Sequence, residues 1–303
     1  MNTSASKTLN WAAKKLRPAS VKIIPKALNI SADESTPDYW FYDSPFLTQF
    51  FSSFSATFPG GEQYMIDTVR MFRDQVKDNK DLYKDCGGFI GQEAHHSREH
   101  KVINDFMQSR GFPVEDVENM IDRILPFFKK MRKKDQMALT AAAEHFTAYF
   151  GDLVLSNPEV VENVHPTIRP LFVWHAIEEI EHKAVTYDLF DATDGEYLSR
   201  IYGFALASAL LGYLTTYGMA KSMWSDRKNM TVRDTAKGLW WMFGVGKESG
   251  YLIKSFPFLL EYFAPNFHPW DDDNSHLIKK WRSELDKINV GKDKTKEKDK
   301  EAA

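Results

Sequence analysis

Two Glu-x-x-His pairs are the residues of this sequence whose types and spacing best fit metal chemistry. Glu93 precedes His96 by three positions, and Glu179 precedes His182 by the same interval. Because a helix turns about 100° per residue, each pair lies on one helix face. Carboxylates and imidazoles are ligands that divalent transition metals accept together. The sequence therefore predicts one chelating pair on each of two helices.

Further polar residues share the faces of these pairs. His100 lies about 20° from Glu93, and His175 lies within an arc of about 60° that also holds the second pair. We expect each histidine to be a ligand or to orient one. Glu178 lies at the edge of the second face, where it either replaces the neighbouring glutamate as a ligand or pairs with another group.

The other faces carry residues that we expect to be structural or exposed. Gln92 and Glu99 fall on the far side of the first helix, and Glu181 points away from the second pair. His145 is expected to be structural or at the surface. His268 lies in a predicted loop near the C-terminus, where it is a candidate to support the site.

Two isolated glutamates complete the candidate ligand set. Glu144 lies in the apolar window 138–150, where an acid is costly to bury unless it is paired or bound to a cation. Its alternative role is an ion pair with a basic neighbour. Glu62 lies near a predicted helix start, a position that the helix dipole alone also favours. The candidate metal ligands are Glu62, Glu93, His96, His100, Glu144, His175, Glu179 and His182.

This ligand set suits two redox metal ions better than one structural zinc ion. Four carboxylates supply the negative charge that two divalent irons need, and the imidazoles add neutral nitrogen ligands. A structural zinc site takes a closed shell of four ligands, which this set exceeds. The expected cofactors are therefore two iron ions, with manganese or zinc as alternatives.

The order of these residues resembles the ferritin-like di-iron carboxylate proteins, in which two helices each give one Glu and two others each give a Glu-x-x-His pair. The histidine added before the second pair is similar to that of the di-iron arylamine N-oxygenases. Over residues 37–270 the chain more closely resembles a bacterial family described as predicted metal-dependent hydrolases. The segments that carry this likeness are Phe54-Ser55-x-x-Phe58-Pro59-x-Gly61-Glu62, Gln92-Glu93-Ala94-x-His96-x-x-x-His100, Glu144-His145, Trp174-His175-x-x-Glu178-Glu179-x-Glu181-His182 and Phe267-His268-Pro269-Trp270.

The expected fold is all-α, with a ferritin-like four-helix bundle core and additional C-terminal helices. Apolar periodicity and Pro or Gly stops predict helices at 60–78, 81–111, 114–131, 134–155, 171–190 and 196–221. Composition and charge divide the chain into a basic N-terminal arm (1–36), a single helical metal-binding domain (37–290) and a disordered charged tail (291–303).

Composition excludes several classes of protein. The net charge of the 303 residues is −3, so we expect no nucleic-acid partner. Cys86 is the only cysteine, which excludes an intramolecular disulfide, a cysteine zinc site and an iron–sulfur cluster. We expect a cytoplasmic protein. The first 32 residues hold six basic side chains and no acid, so membrane-surface contact through this arm stays open.

One segment, 201–220, holds twenty residues without a charge. Its length would cross a bilayer, yet a central helix of a large bundle is equally apolar on all sides. We expect a buried helix first. The alternatives are a membrane-embedded segment and an oligomer interface, such as that of a homodimer.

The leading functional hypothesis is an O2-dependent non-haem di-iron oxidase or oxygenase that acts on an apolar or aromatic small molecule. A separate reductase or other electron donor is expected, because no Gly-x-Gly-x-x-Gly motif suggests a nicotinamide domain. The alternative is a metal-dependent hydrolase that uses a metal-activated water. A third, non-enzymatic possibility is iron storage or membrane-associated binding.

Overall fold

The computed structural model describes residues 16–193, 195–254 and 256–287, and these residues form an all-α fold. The helices are α1 (Pro45–Ser55), α2 (Phe58–Arg73), α3 (Lys80–Ser109), α4 (Val114–Phe128), α5 (Lys133–Ser156), α6 (Pro158–Glu162), α7 (Arg169–His182), α8 (Val185–Thr193), α9 (Tyr197–Ser225), α10 (Val232–Phe243), α11 (Tyr251–Lys254) and α12 (Phe256–Glu261). Residues 275–287 are also helical. Within the described ranges, the only β pairing is an isolated bridge between Phe41 and Val164.

Local signals explain where the long helices begin and end. The Asn79 side chain accepts a hydrogen bond from the Leu82 amide and so caps the start of α3. Gly111 follows the end of α3 with a φ of 88°, a conformation that glycine adopts without strain. Helix α1 was not predicted, although Ser44 caps it and Pro45 occupies its first turn.

The four helices that carry the predicted ligands pack against one another. Helix α2 contacts α3 and α5, and α7 contacts the same two helices. Their mutual packing brings the candidate ligands toward one interior region. The ferritin-like arrangement of these helices as a four-helix bundle stays a prediction.

The predicted helix 171–190 is two helices in the structure, and this prediction was wrong. Helix α7 ends at His182, and α8 begins at Val185. Between them the buried Lys183 ammonium donates hydrogen bonds to the Asp272 carbonyl at 2.7 Å and to Asn274 Oδ1 at 2.9 Å. The break therefore places a lysine where it ties the C-terminal loop to the core.

The uncharged segment 201–220 is not buried on all sides, so that expectation was wrong. It forms part of α9, which packs against α1, α4 and α5. Gly203 and Leu214 lie on the buried face, whereas Tyr202 and Tyr213 are about half exposed. Gly203 permits the close approach, because a Cβ there would lie 2.4 Å from the Ala138 carbonyl oxygen. None of the described helices is long and apolar enough to span a membrane.

The described part of the basic arm lies along α3. Val21 and Ile30 are buried, and the Ile30 amide donates a 2.7 Å hydrogen bond to Glu99. Gly91 leaves room for Pro25, since a Cβ on that glycine would lie 2.4 Å from the proline ring. Residues 1–15 and the predicted tail 291–303 lie outside the described residues. The division into arm, domain and tail stays a prediction.

Candidate metal centre

Four helices deliver all eight predicted ligands into the protein interior. Helix α2 carries Glu62, and α5 carries Glu144. The other candidates come from α3 (Glu93, His96, His100) and α7 (His175, Glu179, His182). None of the eight residues is more than 7% exposed. The structure divides seven of them into two groups that could each hold a metal ion.

The inner cluster consists of Glu93, His96, Glu179 and His182, which offer ligand atoms that all lie within 4.8 Å of one another. His182 Nε2 lies 3.2 Å from Glu93 Oε1 and 3.4 Å from Glu179 Oε2. His96 Nδ1 lies 3.6 Å from Glu93 Oε1 and 3.4 Å from Glu179 Oε1. Both Glu-x-x-His pairs therefore meet in one group, as the sequence predicts.

Glu144 adjoins the inner cluster. Its Oε1 lies 2.9 Å from His182 Nε2, although neither of its oxygens has hydrogen-bond geometry with a described residue. The contact agrees with the alternative expectation, a pair with a basic neighbour, since Glu144 helps to raise the pKa of His182. The fully buried Glu144 carboxylate also lies where it could donate to an ion held by the inner cluster.

The outer cluster consists of Glu62, His100 and His175, whose ligand atoms also lie within 4.8 Å of one another. His100 Nε2 and His175 Nδ1 are 2.5 Å apart. His175 Nε2 lies 4.0 Å from Glu62 Oε1 and 2.6 Å from Glu179 Oε1. Glu179 therefore touches both clusters, which is the position of a carboxylate that could bridge two ions.

Neighbouring side chains contact the imidazole nitrogens of His96 and His100 that face away from the clusters. His96 Nε2 lies 3.2 Å from Glu178, and His100 Nδ1 lies 2.8 Å from the Ser55 hydroxyl. These contacts hold the ring nitrogens that point away from the clusters, and such contacts fix the tautomer and angle of a ligand. Glu178 therefore supports His96 and does not replace its neighbour in the inner cluster.

His182 is oriented by residues that the sequence analysis placed elsewhere. Its Nδ1 lies 3.1 Å from Gln92 Oε1, and the Gln92 amide donates a 3.0 Å hydrogen bond to Glu181. Glu181 in turn accepts hydrogen bonds from the Arg282 guanidinium. The prediction that Gln92 lies on the far side was therefore wrong, whereas Glu181 contacts Gln92 and Arg282 and points away from the second pair, as predicted. Helix α3 is buried on more than one face at this level, and angles along a single helix do not reveal that.

The cluster oxygens have the property expected of metal ligands. Both oxygens of Glu93, Oε1 of Glu62 and Nδ1 of His96 are buried without a hydrogen bond to any described residue. A buried, unpaired carboxylate costs several kcal/mol unless its charge is neutralised. A cation in the inner cluster would satisfy the Glu93 and His96 atoms, and a cation in the outer cluster would satisfy the Glu62 oxygen, so the residues present fit bound metal.

Burial and mutual contact shift the carboxylate pKa values in opposite directions. Burial raises the pKa of Glu144 to about 8 and also raises the pKa values of Glu62 and Glu93. Burial acts in the same direction on Glu179, but the facing His182 and His175 hold its pKa well below the usual range. Glu179 is therefore the carboxylate most firmly held in the charged form.

The histidines differ between the two clusters. Burial lowers the pKa of His100 well below its usual range and lowers that of His175 to about 4. Burial opposes the charged forms of His96 and His182 too, but their carboxylate neighbours raise both pKa values well above the usual range. A metal ion in the inner cluster would displace the protons that these two histidines share with the carboxylates.

Two apolar cavities flank the outer cluster. The first reaches His100 and His175. The second reaches Glu62. Apolar side chains make up most of both linings, as is usual for small-molecule sites.

Two further histidines lie away from both clusters. His268 contacts Asp188 at 3.1 Å and accepts a hydrogen bond from the Trp270 amide. Neither partner belongs to a cluster, so these contacts do not support the suggested role of His268 at the site. His145 stacks on Phe258 with ring centroids 4.8 Å apart. Burial lowers the pKa of His145 to about 3, which agrees with the structural role that we expected.

Comparison with known proteins gives one family. The model of a family described as "Predicted metal-dependent hydrolase" matches residues 25–273, which include both clusters. No curated protein and no solved structure matches the chain.

Proposed function

The chain belongs to the predicted metal-dependent hydrolase family, and from this premise we propose that it hydrolyses an apolar substrate at a two-metal carboxylate–histidine centre. The observation that carries the proposal is the pair of adjoining clusters, which share contacts with Glu179 and contain buried oxygens without partners. The family description supports hydrolysis over the di-iron oxidation expected first from the sequence.

The chain's own residues would divide the work between the clusters. Glu93, His96, Glu144 and His182 would hold one ion in the sealed interior. Glu62, His100 and His175 would hold a second ion beside the cavities, with Glu179 between the two. Bound divalent metals supply water activation near neutral pH and polarisation of a carbonyl oxygen. The apolar walls would exclude bulk water and so strengthen every charge interaction at the reacting group.

The test is ester hydrolysis by protein stripped of metal and reloaded with zinc or manganese under argon. We expect p-nitrophenyl hexanoate to be hydrolysed without oxygen, with one ¹⁸O atom from labelled water in the acid product. Glu93→Gln should lose this activity, whereas Glu115→Gln, a matched change at an exposed position on α4, should keep it. Binding of metal without hydrolysis of any ester or amide by the zinc, manganese and iron forms would contradict the proposal.

The second candidate is the O2-dependent di-iron oxidase or oxygenase. One observation favours it: five buried glutamates, Glu178 included, surround this region, and carboxylate-rich sets suit iron that changes oxidation state. An iron-loaded, reduced sample would then consume oxygen in the presence of an apolar substrate and an electron donor. Oxygen uptake coupled to product formation, together with inactive zinc protein, would place this candidate first.

A further inference from the structure

Each of the two cavities has its own walls. The first, here called chamber one, lies among α1, α3, α5 and α7, with Phe51, Ile103 and Val154 among its lining residues. The second, chamber two, lies among α2, α4, α5 and α9, with Ile121 and Ala143 among its lining residues. The chambers therefore have mostly different walls, and each reaches the outer cluster.

Three residues line both chambers and form the wall between them: Phe54, Phe58 and Thr147. The ring centroid of Phe58 lies 4.5 Å from that of His100 and 4.9 Å from that of His175. The partition therefore stands directly against the outer cluster. A molecule that crosses the partition would pass a metal ion bound there.

The lining chemistry selects an uncharged molecule. Among the described residues that line the chambers, the carboxylate and imidazole side chains are Glu62, His100, His175 and Glu179, all of which belong to the clusters, and the one phenol is Tyr64, whose pKa burial raises. No Lys or Arg in the described part of the chain lines either chamber, so a carboxylate or phosphate group on a part of the substrate away from the clusters would find no counter-ion.

We propose that the substrate is a neutral carboxylic ester or amide with two apolar arms, one in each chamber, and that its reacting group lies beside Phe58 between Glu62 and His175. This inference rests on the proposed function, because hydrolysis at the outer cluster defines where the reacting group must lie. Phe58 lines both chambers and so sets the position at which the two arms join.

The test uses two isomeric ketones, which resemble the ester but cannot be hydrolysed. Dihexyl ketone has two equal arms, whereas undecyl methyl ketone has the same formula and one long arm. Titration calorimetry on the metal-loaded full-length protein should show that dihexyl ketone binds at least about 10-fold more tightly than its isomer. Only the ketone with two equal arms can fill both chambers and so bury the apolar surface of both arms. Equal affinities, or tighter binding of the single-arm isomer, would overturn the proposal.

Matched variants locate the two arms. Val154→Phe fills chamber one, and Ala143→Phe fills chamber two. Each change should remove the preference for dihexyl ketone, and an unchanged preference in either folded variant would overturn the assignment of that chamber. If a phenylalanine variant fails to fold, the isomer comparison on the unaltered protein still decides. Arm-dependent ketone binding without ester hydrolysis would reject the proposed reaction alone, whereas hydrolysis with equal ketone affinities would reject the two-chamber inference alone.

Discussion

The inner and outer clusters use the same two ligand types in different surroundings. In the inner cluster, His96 and His182 each face several carboxylate oxygens, which raise their pKa values despite complete burial. In the outer cluster, His100 and His175 face each other and the aromatic ring of Phe58, only His175 has a carboxylate oxygen of a described residue close by, that of Glu179 at 2.6 Å, and burial lowers both pKa values.

The difference teaches that the neighbours of a buried histidine decide whether it is charged. Several facing carboxylates overcome the cost of burying an imidazolium, whereas one carboxylate beside imidazole and aromatic neighbours does not. Under the proposed function, the same difference would separate two tasks. The inner cluster would hold an ion through its carboxylates, and the outer cluster, which adjoins the apolar cavities, would be the reacting position.

The largest effect is expected at the residue common to both clusters. Glu179→Ala removes a carboxylate that contacts His96, His175 and His182. The affinities of both clusters for metal should therefore fall by more than about 100-fold, which exceeds the loss typical of residues that only orient a ligand. Metal analysis after dialysis measures this, with Glu115→Ala as the exposed control. Retention of both ions in the Glu179 variant would remove it from the ligand set.

The next test separates the clusters. His175→Ala should release the outer ion and keep the inner one. The contacts of Glu93 with His96 and His182 hold the inner cluster together, and the His175 ring takes no part in them. His182→Ala should do the reverse. Each variant should therefore bind about one metal ion per chain, measured by elemental analysis of the dialysed protein. Loss of both ions from either variant would show that the clusters bind metal only as a unit.

Smaller effects are expected where the altered residue orients a ligand. Gln92→Leu removes the partner of His182 and should weaken the inner site by roughly 10- to 100-fold. Ser55→Ala removes the hydroxyl beside His100 and should weaken the outer site instead. Competition titrations with a chromogenic chelator measure both affinities. If each change weakened both sites equally, the separate support of the two clusters would be wrong.

The smallest effect concerns a buried histidine outside both clusters. Burial lowers the pKa of His145 to about 3, so between that pH and its usual pKa near 6.5 the unfolded chain binds the proton and the folded chain does not. Its contribution to the free energy of unfolding is complete above the usual pKa. Below that pKa the contribution decreases by about 1.4 kcal/mol for each unit by which the pH falls. His145→Phe should reduce the pH dependence of urea unfolding between pH 4 and pH 6. An unchanged slope would contradict a buried neutral imidazole.

The two Glu-x-x-His pairs could be predicted from the sequence, because helix geometry places residues three apart on one face whatever the tertiary structure. Glu144 could also be found, since an acid inside an apolar window needs a reason to be there. The roles of Gln92 and Glu181 could not be found, because they depend on which other helices cover α3 and α7. The all-α fold is confirmed, whereas the half-exposed surface of α9 depends on packing partners that its uncharged sequence does not identify.

The division into two clusters was likewise not visible in the sequence. His96 and His100 lie one turn apart on the same face of α3, yet they belong to different groups. The separation arises from α7, whose His175 and His182 lie nearly two turns apart and meet different residues of α3. Only the packing of α3 against α7 fixes which histidine joins which carboxylate.

The most direct test of the two-metal centre is a titration of metal-free protein with zinc, followed by equilibrium dialysis and elemental analysis. The account predicts about two ions per chain in the unaltered protein and about one in His175→Ala, with the same helical circular dichroism spectrum in both. A single ion per unaltered chain, unaffected by loss of His175, would contradict the assignment of the outer cluster as a metal site.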